Sequence, residues 1–270
     1  MPTDLEPIFP PEIEEIIFKL AAQDLKEGGK LILVAKRVYH WLLPDLWKIA
    51  IFGSKIPRRP HLRQELFEKL GQYARHLLIW DHDFNLDGAV LCDRYSTCLS
   101  WCSNITDLTL WIPRKHYNKS LVDHLPRLRL THLCFDVVMF HAELVKHSMS
   151  THVSFPFLTH LQLLGLITPR SSEFLKGYFP SLTHLALDGD QVVSPESILD
   201  LWKDQLRVLV WMPLDADILL GDPGPSLPDD PRIVVISEID DMVEDWTGTV
   251  TGTGGIWVTA AAVIKSRGGC

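Results

Sequence analysis

Apolar residues in the first fifty positions recur at the spacing of helices. The first set falls at positions i, i+3, i+4 and i+7 of one stretch and consists of Ile13, Ile16, Ile17 and Leu20. This spacing predicts an amphipathic helix that opens at Pro10-Pro11. A second helix is predicted from about Lys30 to Leu43, after a break at Gly28-Gly29, and residues 45–52 are expected to add one or two turns. Three short helices bury only a small shared face, so we expect a partner to cover the remaining apolar surface.

From residue 74 onward a repeated L-x-x-L-x-L pattern replaces this spacing. The clearest copies start at Leu130, Leu158 and Leu182, and each contains Leu-Thr-His-Leu. The central apolar residues of the copies lie at positions 77, 108, 133, 161, 185, 209 and 234. The stretches between the copies have helical patterns, one of which starts with the capping pair Ser194-Pro195. No strand–helix unit of this size can bury itself, so neighbouring units must stack.

The sequence therefore predicts an α/β protein with three parts. Residues 1–52 form a three-helix domain, residues 53–240 an irregular solenoid of strand–helix units with a parallel sheet, and residues 241–270 a C-terminal cap. The cap is expected to contain a flexible Gly/Thr-rich turn at 248–255, which lacks the residues of a phosphate-binding loop. A helix over about 257–267 is expected to end the cap.

The repeat units resemble leucine-rich repeats, with one consistent departure. That family usually carries Asn or Cys at the ninth position of the repeat, where the side chain ties adjacent loops together. Here the ninth positions are Pro113, Val138, Leu166, Asp190 and Leu214. The resemblance therefore implies an irregular, leucine-rich-repeat-like curve without an asparagine ladder.

Charge and composition narrow the classes of partner. The chain has 26 Lys and Arg against 34 Asp and Glu, a formal net charge of −8, so nucleic-acid binding is not expected. No apolar run approaches the ~18 residues that cross a bilayer, so no membrane partner is expected. The acidic N-terminus is unlike a secretory signal, and the five cysteines are not spaced as a disulfide framework. We expect an intracellular location, in the cytoplasm or the nucleus.

Residues 9–49 resemble an F-box. The stretch Phe9–Ile13 followed by Ile17-Phe18 is similar to the opening of that family, L-P-x-E-[IL], with I-F beginning five residues beyond the glutamate. Val34–Arg37 is similar to the V-C-K-R of the family, and Leu46-Trp47 to its closing L-W. Where the chain departs from the pattern, one apolar residue replaces another.

The combination of an F-box with leucine-rich-repeat-like units resembles the expanded F-box family of mushroom-forming fungi. The resemblance implies a non-catalytic substrate-recognition adaptor of an SCF-type (cullin–RING) ubiquitin ligase. In such an adaptor the F-box docks on a Skp-type adaptor subunit, and the repeats bind a protein substrate. The adaptor-binding residues carried over by position are Phe9, Pro10, Glu12, Ile13, Ile17, Phe18, Val34, Lys36 and Trp47.

Two other interpretations stay open at this point. In one, the first fifty residues only cap the array, and the chain is a repeat scaffold that binds partners without a ligase. In the other, the chain is a hydrolase that uses its histidine-rich strands. The hydrolase interpretation is the weaker of the two, because no pair of nucleophile and base is visible in the sequence.

Outward-facing repeat positions form the candidate surface for a substrate. In L-x-x-L-x-L the third and fifth residues alternate with the core leucines and point to the other face of the sheet. On four successive strands these residues are His132, Cys134, His160, Gln162, His184, Ala186, Val208 and Val210. Several are apolar, which a purely solvating face would not favour. Either the face is open and binds a partner, or the C-terminal segment 246–267 folds back and covers it.

The polar clusters of the sequence do not complete a metal or catalytic site. The three histidines of this face share one column with Asp107 and Val208, which do not complete a set of metal ligands. Cys98 and Cys102 share a helix face and are expected to be small buried hydrophobic residues rather than zinc ligands. We therefore predict no metal, no cofactor and no catalytic residue.

Overall fold

The computed structural model describes residues 9–23, 25–53, 64–81, 88–112, 119–138, 154–165, 167–188, 193–213, 229–236, 239 and 241–267. In these residues the helices are α1 (Pro11–Ala21), α2 (Leu25–Leu31), α3 (Lys36–Leu46), α4 (Gln64–Leu70), α5 (Gly88–Trp101), α6 (Lys119–His124), α7 (Pro169–Tyr178), α8 (Pro195–Leu201), α9 (Met242–Thr251) and α10 (Ile256–Ser266). The strands are β1 (Ile49–Gly53), β2 (His76–Trp80), β3 (Asp107–Trp111), β4 (His132–Asp136), β5 (His160–Leu164), β6 (His184–Asp188), β7 (Val208–Met212) and β8 (Ile233–Val235). Four of the ninth repeat positions, at 113, 166, 190 and 214, lie outside the described residues.

The protein is of the α/β class, as the repeat pattern predicts. Within the described residues, eight parallel strands form one sheet whose order follows the chain from β1 to β8. The inward side chains of the strands pack in one core with residues of the intervening helices, such as Phe67 of α4, Leu175 of α7 and Ile198 of α8. Ser194 caps α8 as predicted, since its hydroxyl accepts the backbone N–H of Ser197.

The register of the sheet confirms all but one of the predicted repeat centres. Six predicted centres occupy one row across neighbouring strands: Leu77, Leu108, Leu133, Leu161, Leu185 and Leu209. The next residue of the row is Ile233 rather than the predicted residue 234. Val234 instead points to the opposite face, where it is also buried. With both faces of β8 apolar, the L-x-x-L-x-L template fits two registers that differ by one residue, and a one-residue shift exchanges the faces.

The first fifty residues are helical, but their boundaries differ from the prediction. Gly28-Gly29 lies inside α2, and the chain turns over 32–35 instead. A Cβ atom on Gly28 would come within 2.8 Å of the Leu46 side chain, so glycine here permits the close approach of α2 and α3. Pro44 does not end the second predicted helix, because α3 continues to Leu46.

The sequence analysis expected residues 45–52 to add one or two helical turns, and this expectation is wrong. Residues 49–53 form β1, which pairs with β2 and opens the sheet. Ala50 and Phe52 point into the core while their neighbours are only half-buried, which is the alternation of a strand. The strand crosses the predicted boundary between residues 52 and 53.

The C-terminal segment is two helices joined by a short turn. The Gly/Thr-rich stretch expected to be flexible is half helical, since α9 runs to Thr251 before Gly252 ends it with a φ of 73°. Asp241 caps α9 by accepting the backbone N–H groups of Val243 and Glu244. The predicted final helix is confirmed as α10. Among the described helices, none has both the length and the apolar character needed to cross a membrane.

The central row of the sheet can be tested by truncation. Replacing Leu161 with Ala is expected to lower the free energy of unfolding by about 2–5 kcal/mol, because the leucine is fully buried between strand neighbours and helices. We expect the same range at Leu133, Leu185 and Leu209, measured by urea denaturation. Leu33→Ala is the control, since Leu33 is 83% exposed and its truncation should change stability by less than about 0.5 kcal/mol. Equal unfolding midpoints for the core and control variants would contradict the assignment.

Candidate functional site

The outer face of the sheet, opposite the main core, is covered by the C-terminal helix pair, α9 and α10. Helix α10 packs on the last strands, where Ile256 and Ala260 contact a cluster that contains Ala186, Val210 and Val234. Helix α9 packs on the first strands, where Val243 and Trp246 contact Leu78. Parallel sheets are usually apolar on both faces and covered on both.

The expectation of an open face is therefore corrected in favour of the covered one. Five of the eight candidate substrate-binding residues are buried, namely Cys134, Gln162, Ala186, Val208 and Val210. The other three, His132, His160 and His184, are half-buried. The apolar outward residues were the signal for this cover, because such side chains on a parallel strand are stable only under a second layer.

The three histidines form a stacked column at the start of β4, β5 and β6. The ring centroids of His132 and His160 are 4.1 Å apart, and those of His160 and His184 are 4.0 Å apart with an angle of 12° between the rings. Trp257 of α10 meets the column edge-on, with its ring centroid 5.1 Å from that of His160. The rings stack because the three histidines are direct neighbours in the parallel register of β4, β5 and β6.

A threonine ladder orients each ring of the column. The hydroxyl groups of Thr131, Thr159 and Thr183 each donate to the carbonyl of the corresponding threonine one strand earlier, at 3.0–3.2 Å. The same hydroxyl oxygens lie 2.8–3.0 Å from Nδ1 of the histidine that follows. Since the hydroxyl proton goes to the carbonyl, both contacts are hydrogen bonds only if Nδ1–H donates to the hydroxyl oxygen.

Burial keeps this column neutral. It lowers the pKa of His160 to about 3, helped by the proximity of His132 and His184. It also lowers the pKa of His184 to about 4, with smaller contributions from His132 and Arg207. The pKa of His132 is lowered by burial as well, although Asp107 acts in the opposite direction. At neutral pH the column is therefore an uncharged stack.

Sequence reasoning missed a fourth histidine at the equivalent position of an earlier strand. His76 begins β2, and in the register of the sheet it lies beside Asp107 of β3, which lies beside His132 of β4. Asp107 is buried, and its carboxylate lies 3.8 Å from Nδ1 of His76 and 3.6 Å from Nδ1 of His132. The third position of the copy that begins at Ala74 is His76, so the repeat template contained the signal.

Between the column and α9 lies a cleft under the centre of the helix pair. Its lining combines tryptophan rings and polar groups, including Trp80, Asp107, Trp111, Gln162, Asp245, Trp246, Thr249 and Trp257. Three buried polar atoms of the lining have no hydrogen-bond partner, namely Nε2 of Gln162, Nε1 of Trp246 and Oγ1 of Thr249. Burial raises the pKa of Asp245 to about 6, opposed by a hydrogen bond from the backbone N–H of Ile256.

Two of the cysteines are buried in the core, as the sequence analysis expected. Cys98 and Cys102 are fully buried, and burial followed by the contact with Cys102 raises the pKa of Cys98 well above its ordinary value. Cys134 is likewise buried with a raised pKa. In the part of the chain that the structure describes, no group of three His, Cys, Asp or Glu side chains could hold a metal ion.

The candidate adaptor-binding residues fall into two groups. Seven are solvent-facing or nearly so: Phe9, Pro10, Glu12, Ile13, Ile17, Val34 and Lys36. The other two, Phe18 and Trp47, are half-buried, and their rings pack against Trp41 and Phe67 at centroid distances of 6.4 and 6.2 Å. Seven of the nine residues could therefore contact a partner directly, whereas Phe18 and Trp47 make contacts within the chain. Comparison with known proteins finds no matching family model and no matching curated protein.

The neutral histidine column predicts a loss of stability in acid. Between about pH 6.5 and 4 the unfolded chain binds protons at its histidines, whereas folded His160 and His184 do not. The unfolded state therefore binds more protons, and the free energy of unfolding contributed by these residues falls as the pH falls through this range. Asp245 contributes with the opposite sign, since its pKa is raised in the folded state.

Comparison with a His160→Gln variant isolates the histidine contribution. Urea denaturation from pH 7 to 4 should give a steeper fall in the free energy of unfolding for the wild type than for the variant. Gln is the matched replacement because it keeps a polar planar group but does not titrate. Parallel pH profiles for the two proteins would show that His160 is not held neutral by burial.

Proposed function

We propose that the chain is a non-catalytic substrate-recognition adaptor of an SCF-type ubiquitin ligase, whose segment 9–49 docks on a Skp-type adaptor subunit. The observation that carries this proposal is the exposure of α1. The helix has no buried residue, and its apolar stripe is 45–61% exposed at Ile13, Ile16, Ile17 and Leu20. An amphipathic helix with its apolar stripe in water is the usual form of a helix that binds in a partner's groove.

Contacts on the other side of α1 support a preformed docking surface. Arg37 of α3 forms an ion pair with Glu14 at 2.8 Å, and Phe18 packs on Trp41 of α3. These contacts hold α1 by its polar and flanking positions, so the stripe turns away from α3. A partner would therefore meet a helix that is already ordered, which lowers the entropic cost of binding.

Other apolar residues of the segment 9–49 are also exposed. Phe9 precedes α1 and is 50% exposed, while Leu33 and Val34 lie in the turn after α2 and are even more exposed. Val34 and Phe9 are among the positions that the F-box resemblance assigns to adaptor contact. Phe18 and Trp47, which it also assigns, are proposed to hold the helices in place instead, because their rings pack within the chain.

The docking surface predicts a specific loss of binding. The full chain, co-expressed with a Skp-type adaptor, is expected to purify as a complex. Ile13→Asp combined with Ile17→Asp should weaken binding by at least about a hundred-fold, because it places two charges in an apolar contact. Calorimetric titration measures the affinity, and an unchanged melting temperature is expected because both residues are exposed in the free chain.

The control is Val235→Asp, at an exposed apolar residue of β8 outside this segment. It should leave adaptor binding unchanged. Binding that survives in the Ile13/Ile17 variant, or that is lost equally in the control, would remove the adaptor assignment. A wild-type chain that fails to bind any Skp-type adaptor would favour the ligase-independent scaffold.

A further inference from the structure

Four exposed arginines lie at the end of the sheet where its strands begin. Arg75 immediately precedes β2, and Arg207 immediately precedes β7. Arg127 and Arg129 lie just before β4, at the turn that leads into that strand. We call these four residues the rim arginines. Because the chain has a formal net charge of −8, a basic rim is a local reversal of its overall charge, and such a reversal favours an acidic partner at that place.

The positive charge of this rim is not neutralised within the described part of the chain. In the five residues before each strand from β2 to β7, Lys203 adds to the rim arginines, and Asp204 is the one acidic residue. Elsewhere, Arg37 and Arg232 each form an ion pair with a carboxylate at 2.8 Å. The rim arginines form no ion pair with a described residue, and Arg75 donates to a backbone carbonyl at 3.0 Å instead. Their guanidinium groups can therefore bind carboxylates from outside the chain.

An exposed aromatic ring lies among the rim arginines. Phe157 precedes β5 by the same three residues by which Arg129 precedes β4. The guanidinium carbon of Arg129 lies 4.7 Å from the centroid of the Phe157 ring, which is the geometry of a cation–π contact. Phe157 is 47% exposed, so much of the residue faces solvent. Arginine and aromatic side chains are enriched at protein interfaces and among the residues that dominate binding, so this pair marks the centre of a candidate docking surface.

Hydrogen bonds between neighbouring repeat units hold the backbone of the rim in place. Asn104 donates from Nδ2 to the carbonyl of Gln72 at 2.8 Å, three residues before Arg75. Ser181 donates from its hydroxyl to the carbonyl of Pro156 at 2.7 Å, beside the exposed ring. The rim is thus ordered before any partner binds, which lowers the entropic cost of binding.

We propose that the rim arginines and Phe157 bind an extended acidic segment of a partner protein. Arg75 and Arg207 precede strands that are five places apart in the sheet, which is about 24 Å at the usual spacing of strands. An extended chain rises about 3.3 Å per residue, so a segment of about eight residues spans this distance. Carboxylates near its ends would meet Arg75 and Arg207, and one near its centre would meet Arg129. An apolar side chain beside the central carboxylate would contact Phe157.

A protein segment fits this surface better than a nucleic acid does. A nucleic acid carries a phosphate at every nucleotide and would meet the repulsion of a chain with a net charge of −8, whereas a peptide needs only a few carboxylates at the arginine positions. The surface also shares no residue with the segment 9–49. The inference therefore does not rest on docking to a Skp-type adaptor.

Three probes of matched length test the proposal on the full chain. The acidic peptide is Glu-Ser-Gly-Glu-Leu-Ser-Gly-Glu with blocked ends, whose carboxylates follow the spacing of the arginines before β2, β4 and β7. Its neutral counterpart has Gln in place of each Glu, and the third probe is an oligothymidylate of the same number of units. Calorimetric titration at low salt should show binding of the acidic peptide, with both other probes at least about ten-fold weaker. Added salt should weaken the binding, because the contacts are exposed ion pairs.

Two variants with a matched control locate the site. Arg129→Glu combined with Arg207→Glu should weaken binding of the acidic peptide by at least about ten-fold, because it replaces attraction with repulsion at two contacts. Phe157→Ala removes the exposed ring and should weaken binding less, by about three-fold. The control is Lys19→Glu combined with Lys30→Glu, at two exposed lysines outside the sheet, and should have no effect although it changes the net charge equally. Circular dichroism checks that each variant is folded, which is expected because every substituted residue is exposed.

The remaining outcomes overturn the proposal. Equal affinities for the Glu and Gln peptides would show that the surface does not select carboxylates. An arginine variant that binds as well as the lysine control would place the binding elsewhere on the chain. Tighter binding of the oligothymidylate than of the acidic peptide would assign the surface to nucleic acid. No heat with any probe up to about 10 mM, which is weaker than most specific contacts between proteins, would mean that the rim has no such partner.

Discussion

The architecture depends on one constraint, which is that a parallel sheet of short strands must be covered on both faces. The repeat helices cover the inner face, where a continuous row of leucines packs against them. They leave the outer face to the last thirty residues of the chain, because each unit contributes only one helix. The C-terminal helix pair is therefore the second layer of the sheet and not only the end of a stack.

The outer face of the sheet differs in polarity from one part of this second layer to another. Under α10 the outer face is apolar, with Ala186, Val210 and Val234 fully buried. Under the junction of α9 and α10 it is polar, with buried amide and indole N–H groups that lack partners beside the carboxylates of Asp107 and Asp245. The polar region coincides with β3 to β5, where the outward residues change from valine to threonine, glutamine and histidine. The cleft is thus where the apolar cover ends.

Repeat periodicity predicts the sheet because one template carries two kinds of information. The leucines of L-x-x-L-x-L specify the inner face, and the intervening Thr-His pair specifies the strand starts, where the threonine hydroxyls link neighbouring strands. This ladder joins each of these strands to the next at its start. The template fails at β8, since an apolar strand gives no alternation from which to read the register. It also fails at β1, where Ile49 to Gly53 follows three helices and lacks a leucine pattern.

What the sequence could not decide was which apolar surfaces find a cover within the chain. Two candidates looked alike, the stripe of α1 and the outward residues of the sheet. The structure covers the second with α9 and α10 and leaves the first in solvent. The difference depends on contacts between residues far apart in the chain, which a local pattern does not contain. Because α9 and α10 already cover the outer face of the sheet, the exposed stripe of α1 is the stronger indication of a protein partner.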